Sequence, residues 1–332
     1  MDRARPPFFV VGSPRSGTKM LRELLNASPD LWISDVETGF IPRMTGEVAR
    51  YGDLAVYENF VRLAEALRKT RAFWHWQRKG VVPEPRRWFE LCLHHDWPGV
   101  LAGLYHAVWE QEIPAPRQPW GEVLWGDKTP QYVAHVPLLA DLFPEARFVH
   151  IVRDPRDCVS SAEKAWGNSP LRTAQEWTDQ VTAGRAAGAA LGRASYHELR
   201  YEDLLADVPG TLARIFDFLG VAVPPDAGRF LRVPENVGTA RGEARVVAAN
   251  REKWRRDMAP ALRRRIEAVC AEPMAGVGYP REYPDLVPRR VGALMMQLYR
   301  ARDAGRQLAF RRRELGSWWR GLRFLFTRRE RV

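Results

Sequence analysis

Residues 10–21 read VVGSPRSGTKML, and they decide how the first part of the chain folds. PFFVVG at 7–12 predicts a short buried strand, and LRELLNASP at 21–29 predicts a helix that Pro29 ends. A strand, a glycine loop and a helix in this order form a cradle for a phosphate-like anion, because backbone N–H groups and the helix N-terminus point at it. The sequence therefore predicts an anion-binding loop at residues 12–19.

The order of side chains in this loop differs from that of a nucleotide-hydrolysing loop. Gly12 and Gly17 have the required four residues between them, but a Lys followed by Ser or Thr should come next. Here Thr18 precedes Lys19, so the hydroxyl that would hold magnesium is displaced. Arg15 adds a planar guanidinium that binds two oxygens at once, and a donor of a sulfuryl group does not require the metal. We therefore expect a loop for an anionic donor, without a metal site.

Further strands and helices alternate along the chain. ARFVHIV at 146–152 predicts a buried strand that RDPRDCVSS follows directly, 195–199 predicts another strand, and 208–220 predicts an amphipathic helix. This alternation predicts the α/β class, with a three-layer, P-loop-like parallel sheet flanked by helices. Ligands bind at the carboxyl ends of such strands, so we expect the loops 12–19 and 153–161 to face the same crevice.

The length of 332 residues allows one α/β domain with an accessory lobe. We predict a catalytic domain at 1–288, with a helical acceptor-side insertion at 45–120, and a separate tail at 289–332. The three Cys lack CxxC spacing, which predicts neither a disulfide framework nor a zinc site. We expect neither a signal peptide nor a membrane-spanning segment. The cysteine pattern favours a reducing cytoplasm, with the inner face of the membrane as the alternative position.

Two motifs together resemble a known family. SPRSGT at 13–18, followed by a helix, resembles the loop with which sulfotransferases bind the 5′-phosphosulfate of PAPS, 3′-phosphoadenosine 5′-phosphosulfate. VRDPRDCVSS at 152–161 resembles their site for the 3′-phosphate. The chain thus resembles PAPS-dependent sulfotransferases over residues 7–285. The stretch SPRSGTKMLRELLNASPDLWISDVETGFIPRM is closest in motifs to protein-tyrosine sulfotransferases and their bacterial relatives.

The resemblance implies PAPS as the co-substrate, bound by residues in several segments. Arg153 and Ser161, eight positions apart, would hold the 3′-phosphate. Tyr201 in YEDLL would approach the same end of the donor, and Lys253 in ANREKWRRDMAP belongs to a segment that closes over it. The implied donor-binding residues are Arg15, Ser16, Gly17, Thr18, Lys19, Arg153, Ser161, Tyr201 and Lys253.

The resemblance also implies the catalytic residues. The family's proposed general base is a Glu that precedes a Thr, which corresponds to Glu37, with Asp35 as the alternative. Lys128 in GDKTPQY corresponds to a Lys beside the transferred sulfuryl group. Glu37 would take the acceptor proton during in-line attack on sulfur. Arg15 and Lys128 would stabilise the charge that develops on the sulfuryl and leaving oxygens.

Two other classes of function remain alternatives at this point. A P-loop kinase for a small molecule would need a magnesium-binding Asp, for which Asp154 is the nearest candidate. A peripheral membrane or interaction protein could retain a relic donor site. If the chain is a sulfotransferase, we expect its acceptor to be a hydroxyl of a carbohydrate, glycolipid, peptide or small metabolite, with an amine as the less favoured alternative.

The positive charge of the chain is concentrated in the tail. Residues 289–332 contain thirteen Arg and three acidic residues, so ten of the eleven net positive charges belong to them. Apolar side chains interleave with these Arg, which is typical of an amphipathic helix on an anionic membrane. The alternatives are a solvated helix packed on the body or an arm for another macromolecule, although we expect no nucleic-acid partner.

Overall fold

The computed structural model describes residues 5–116, 118–224, 247 and 249–306. The described residues divide into two compact units. The first contains the described parts of 5–154 and 179–251, and the second contains those of 155–178 and 252–306.

The first unit is built on a parallel sheet, which confirms the predicted α/β class. Among the described residues its strands are β1 Phe8–Gly12, β2 Leu31–Ile33, β3 Leu124–Asp127, β4 Arg147–Val152 and β5 Tyr196–Arg200. Their order across the sheet is β2-β3-β1-β4-β5, and all four pairs of neighbours are parallel. The first strand in sequence is therefore the central strand of the sheet.

Helices cover both faces of this sheet. Because successive side chains of a strand point to opposite sides, each strand contributes apolar side chains to both layers. Phe9 and Val11 of β1 lie in one cluster of buried apolar side chains, whereas Phe8 and Val10 lie in another. The first cluster includes most of the aromatic residues of the predicted insertion, among them the fully buried Trp76. These rings are therefore part of the hydrophobic core, which is the usual location of aromatic side chains in a folded protein.

The helix predicted at 21–29 lies at Thr18–Leu25 and so ends before Pro29, and the helix predicted at 208–220 is confirmed, as the bounds of the helices show. Those of the described residues are α1 Thr18–Leu25, α2 Ile41–Glu47, α3 Tyr57–Arg68, α4 Arg71–Gln77, α5 Pro85–Leu91, α6 Trp97–Glu112, α7 Val136–Leu142, α8 Pro155–Trp166, α9 Pro170–Leu191, α10 Tyr201–Ala206, α11 Val208–Leu219, α12 Trp254–Asp257, α13 Pro260–Val277 and α14 at 293–306. Short 3-10 helices occupy Val48–Tyr51, Trp120–Glu122 and Pro130–His135. The helix predicted at 208–220 is α11. Its N-cap is Asp207, whose side chain accepts a hydrogen bond from the backbone N–H of Gly210. Its C-cap is Gly220, which has a φ of 66°.

The second unit is organised around a buried ion pair. Arg156 Nη1 of α8 lies 2.7 Å from Glu267 Oε1 of α13, and both side chains are almost fully buried. Glu267 also accepts backbone N–H groups from Glu282 and Tyr283, at 3.1 and 2.9 Å. The guanidinium of Arg156 stacks 3.7 Å above the ring of Trp254. Because both charges of the pair have several close partners, the pair ties three parts of the unit together.

The described part of the tail also packs within the second unit. Asp303 of α14 accepts hydrogen bonds from Ser169 N and from Arg172 Nη1, both at 2.9 Å. Leu294, Met295 and Leu298 of the same helix are exposed. The remainder of the predicted tail, 307–332, lies outside the described residues. Within the described ranges, no helix is long and apolar enough to cross a membrane.

Replacing Glu267 by Ala is expected to lower the free energy of unfolding by about 3–5 kcal/mol, because it leaves Arg156 buried without its carboxylate. Urea denaturation measures the change. The control is Glu90→Ala, which removes an exposed carboxylate 3.2 Å from Arg86. That change is expected to cost less than about 1 kcal/mol. Equal effects of the two substitutions would contradict the role given to the buried pair.

Candidate active site

The predicted site residues of the first unit follow the carboxyl ends of its strands. β1 ends at Gly12 and leads into the anion loop, and β3 ends at Asp127, immediately before Lys128. β4 ends at Val152, immediately before Arg153. Because the strands are parallel, these ends meet at one edge of the sheet, where ligands of α/β proteins bind. Tyr201 and Glu37 follow β5 and β2 at the same edge.

The backbone of the anion loop requires glycine at two positions. A Cβ on Gly12 would lie 2.4 Å from the carbonyl oxygen of Ile151, and Gly17 has φ 101° at the start of α1. Between them Arg15 has φ 72°, a left-handed conformation that is uncommon for residues with a side chain. Strain of this kind persists where the surroundings impose it, and it is concentrated at ligand sites.

Two buried hydroxyls of the loop indicate what it binds. Ser13 is 3% exposed and Ser16 is fully buried. Within the described residues, neither Oγ atom has a hydrogen-bond partner. A buried hydroxyl without a partner costs free energy, so such atoms are expected to face a ligand that accepts from them. With the N-terminus of α1 beside them, they fit a bound phosphate-like anion.

Arg153 and Tyr201 lie together beside the anion loop. Arg153 donates from Nη1 to the carbonyl oxygen of Arg15 at 3.2 Å, and its guanidinium lies 4.4 Å from the centre of the Tyr201 ring. That ring is so close to Gly17 that an added Cβ would meet it at 2.5 Å. Asn250, which the sequence prediction missed, accepts from Arg153 at its carbonyl and donates from Nδ2 to the Tyr201 hydroxyl at 3.0 Å.

Glu37 and Asp35 have different cationic partners. Glu37 forms an ion pair with Lys128, whose side chain is 5% exposed while that of Glu37 is 46% exposed. Asp35 forms an ion pair with Lys79, and both of these side chains are about half exposed. Glu37 therefore combines access to solvent with contact to a buried ammonium. This arrangement suits the proposed base and its electrostatic partner better than the Asp35 pair does.

The residues next to this ion pair are fixed by a buried network. Thr38 donates from Oγ1 to Asp127 Oδ2 at 2.7 Å, and the Tyr105 hydroxyl donates to the same oxygen. The hydroxyls of Thr38 and Tyr132 are 2.7 Å apart, and the Thr38 backbone N–H donates to Thr129 Oγ1. Thr38 follows Glu37 and Asp127 precedes Lys128, so the network holds both partners of the ion pair from their neighbouring residues.

Burial dominates the ionisation of this network. It raises the pKa of Asp127 above its ordinary value, and the hydrogen bonds from Tyr105 and Thr38 offset part of the rise. Burial, together with the negative charge of Asp127, raises the pKa of Tyr105 well above its usual range, so that hydroxyl remains a donor. Asp127 Oδ2 thus accepts from two hydroxyls, a role that the sequence prediction missed.

A cleft of about 1720 Å³ gathers the reactive side chains of the first unit. Arg15 and Lys19 from the anion loop line it together with Glu37 and Lys128. Lys19 also lies 3.8 Å from Glu23, one turn along α1. The predicted catalytic residues therefore share one cavity with two of the predicted donor-binding side chains.

Ser161 and Lys253 belong to the second unit. Ser161 lies on α8, and Lys253 precedes α12. The backbone N–H of Trp254 donates to Asp157 Oδ1 at 3.1 Å, so these two helices contact each other directly. The roles of Ser161 and Lys253 toward the donor stay predictions from the sequence.

Replacing Thr38 by Val is expected to lower the free energy of unfolding by about 1–3 kcal/mol, because it leaves the buried Asp127 oxygen and Tyr132 hydroxyl without one partner. The isosteric control is Thr70→Val. Within the described residues the buried Thr70 hydroxyl has no hydrogen-bond partner, so its loss should cost less than about 1 kcal/mol. Urea denaturation compares the two variants. A larger loss at Thr70 than at Thr38 would argue against the network.

Comparisons with known proteins agree with the predicted family. Residues 6–225 match the sulfotransferase family. Carbohydrate sulfotransferase 2 of Mus musculus is 27% identical over 195 residues, which are 44% of this chain and 37% of the relative. An omega-hydroxy-beta-dihydromenaquinone-9 sulfotransferase of Mycobacterium bovis is 25% identical over 269 residues, which are 66% of this chain and 63% of the relative. The chain thus spans less than two thirds of the length of either relative.

Solved structures share the fold. The sulfotransferase domain of the Synechococcus PCC 7002 olefin synthase has a TM-score of 0.54 at 23% identity, over 84% of this chain and 97% of that domain. The sulfotransferase domain of the curacin biosynthetic pathway has a TM-score of 0.53 at 18% identity, over 84% of this chain and all of that domain. The match to the family extends over more than half of the chain, from the first strand to beyond α11, and the chain therefore belongs to the sulfotransferase family.

Proposed function

We propose that this sulfotransferase moves a sulfuryl group from PAPS to an acceptor hydroxyl, with Glu37 as the general base. The observation that carries the proposal is the shared cleft, in which the anion loop and the Glu37–Lys128 ion pair meet. Family membership favours sulfuryl transfer over the kinase alternative. The orphan hydroxyls of Ser13 and Ser16 support an anionic donor in the loop.

The donor-binding proposal assigns each end of PAPS to different residues. Arg15, Ser16, Gly17, Thr18 and Lys19 bind the 5′-phosphosulfate through backbone N–H groups, hydroxyls and cations. Arg153 and Tyr201, which already contact each other, bind the adenosine end. Ser161 and Lys253 complete this end on the strength of the sequence resemblance alone. When bound, PAPS supplies an activated sulfuryl group with a bisphosphate as its leaving group.

Within this cleft the charge balance of the ion pair changes during the reaction. Glu37 accepts the proton of the acceptor hydroxyl as that oxygen attacks in line. Protonation removes the negative charge that had balanced the buried ammonium of Lys128. Lys128 is then free to stabilise, together with Arg15, the negative charge that builds up on the oxygens of the transferred and leaving groups. The buried network through Thr38 and Asp127 keeps the pair in place for this exchange.

The relatives indicate the chemical group of the acceptor and not its class. The relatives named above act on a carbohydrate or on an omega-hydroxylated menaquinone. Both acceptors offer a hydroxyl, and we infer the same group for this chain. Carbohydrates, glycolipids, peptides and small metabolites all satisfy that requirement, because the fold hosts many acceptors through differences in its loops.

The proposal is tested by measuring the release of adenosine 3′,5′-bisphosphate from PAPS, with a host extract as the source of the acceptor. Glu37→Gln is expected to lower the rate by about a hundredfold or more while affinity for the bisphosphate stays unchanged, because the base acts on the acceptor. Asp35→Asn is the matched control, since it neutralises the neighbouring carboxylate, and its rate should remain within about threefold of the parent's. A large loss only in Asp35→Asn would assign the base to Asp35. A protein that does not bind the bisphosphate would contradict PAPS dependence altogether.

We also propose, from the composition of the tail alone, that residues beyond Arg306 bring the enzyme to an anionic membrane. Residues 307–332 contain eight Arg among apolar and aromatic side chains. A truncation after Arg306 retains Asp303 and its contacts to the second unit, so it tests the tail without removing this anchor.

Co-sedimentation with liposomes measures this membrane contact. The full chain is expected to bind vesicles that contain phosphatidylglycerol, and to be released by salt, because each basic residue near an anionic surface contributes about 1 kcal/mol. Vesicles of phosphatidylcholine are the control. Equal binding by the full and truncated chains would show that residues 307–332 do not carry the interaction.

A further inference from the structure

The cleft that holds the proposed catalytic residues is strongly basic. Among the described residues that line it, nine are Lys or Arg and two are Asp or Glu. Residues 1–288 together carry only about one net positive charge, so the excess belongs to the cleft and not to the body in general. Clefts lined by one sign of charge concentrate ligands of the opposite sign.

Seven of the nine cations of the cleft form two sets, and the other two, Arg22 and Lys79, are paired with Glu23 and Asp35. Arg15, Lys19 and Lys128 follow the strand ends and are assigned to the donor and the transferred group. A second set lies on the helices that follow β2: Arg43 on α2, Arg50 in the next 3-10 helix, Lys69 at the end of α3 and Arg71 at the start of α4. We call these four residues the basic wall. The donor-binding proposal leaves them without a role.

The basic wall is only partly neutralised by its neighbours. Arg43 and Arg50 share one carboxylate, that of Glu47, at 3.2 and 3.0 Å. Arg71 donates from Nε to His75 Nε2 at 3.2 Å, so that histidine nitrogen carries no proton. Burial, followed by the charges of Arg71, Arg78 and Lys79, lowers the pKa of His75 below its ordinary value. One carboxylate thus stands against four cations in this part of the cleft.

The size of the cleft leaves room for a second ligand beside the donor. Pockets for single small molecules have volumes of about 300–1,000 Å³, and this cleft measures about 1720 Å³. Glu37 and Lys128 line the same cavity as the basic wall. An acceptor whose hydroxyl reaches Glu37 therefore occupies the space that the basic wall lines.

We propose, building on the proposed function, that the acceptor is itself an anion and carries a phosphate or sulfate group near the hydroxyl that is sulfated. The basic wall binds that group, and Arg side chains suit it because their planar fork binds two oxygens at once. A phosphorylated or sulfated sugar and a phosphorylated lipid headgroup both have this chemistry. The product then carries one more negative charge on a molecule that was already anionic.

The basic wall is tested without turnover by measuring how an inorganic anion binds to protein that is already saturated with adenosine 3′,5′-bisphosphate. Bisphosphate binding is measured first, because its failure would overturn the proposed function and not the wall. Inorganic tripolyphosphate is then the probe, and isothermal titration calorimetry gives its affinity. Lys69→Gln combined with Arg71→Gln is expected to weaken tripolyphosphate by about tenfold or more, since two charge-assisted contacts are lost.

Two controls make this measurement specific. Arg86→Gln combined with Arg193→Gln removes the same charge from exposed positions that do not line the cleft, and should leave the affinity unchanged. Lys69→Arg alone keeps the charge and supplies a planar fork, so it should retain the affinity. Equal weakening by the wall and control variants, or no binding to the saturated parent protein, overturns the proposal.

The transfer reaction identifies the source of the acceptor. A host extract is divided into aqueous and lipid phases, and each phase is separated by anion exchange into retained and unretained fractions before incubation with enzyme and ³⁵S-labelled PAPS. Label is expected only in molecules from a retained fraction. A sugar acceptor would be labelled in the aqueous phase, and a lipid headgroup in the lipid phase. The wall variant should incorporate about tenfold less label. Label in molecules from an unretained fraction contradicts an anionic acceptor. Absence of label from every fraction contradicts sulfuryl transfer itself, and this inference with it.

Discussion

The active cleft depends on one constraint, the parallel register of the sheet around β1. Gly12 is paired with Ile151, and Val152 is paired with Arg200 on the other side of β4. On the opposite side, Ile33 is paired with Gly126. β1, β4 and β5 therefore stop hydrogen bonding at nearly the same level, whereas β2 and β3 stop earlier, opposite Phe8 and Phe9 of β1. In each case the next residue is the first that can turn toward a ligand. A slip of one residue would exchange the two faces of a strand and bury Lys128 or Arg153 in an apolar layer, so core packing and site geometry depend on the same register.

The buried ammonium of Lys128 explains why the loop after β2 is held so firmly. A buried charge without a partner is costly, and Glu37 is its partner here. Glu37 lies on an irregular segment between β2 and α2, so its backbone needs other restraints. Thr38 supplies them through Asp127, Tyr132 and Thr129, which are all almost fully buried. The exposed carboxylate is thus positioned by buried neighbours, which leaves its own oxygens accessible to an acceptor.

The sequence predicted those parts of the site that depend on short segments. The loop 12–19 was predicted because it directly follows the apolar run of β1. The roles of Arg153 and Tyr201 were implied by the resemblance of VRDPRDCVSS and YEDLL to the family, and both residues follow strand ends. The choice between Asp35 and Glu37 could not be made in this way, because it depends on whether Lys79 or Lys128 lies opposite, and these follow α4 and β3, far away in sequence. Asp127 and Asn250 were missed for a similar reason, since their partners are distant in sequence. The basic wall gives no sequence signal, because its four cations come from separate short helices spread over residues 43–71.

An anionic donor and an anionic acceptor, as proposed, would repel each other in one cleft, which is a reason for the cations to be divided between the loop and the wall. Two unit charges 7 Å apart in an environment of effective dielectric constant 20 repel each other by about 2.4 kcal/mol. Cations beside each anion offset this cost separately. Lys79, which forms an ion pair with Asp35, is a further cation in the lining of the cleft. The total charge of the chain gives no indication of this division, because most of it belongs to the tail. What the cleft can bind follows from where the charges lie in the fold, and that distribution is set by the helices between β2 and β3.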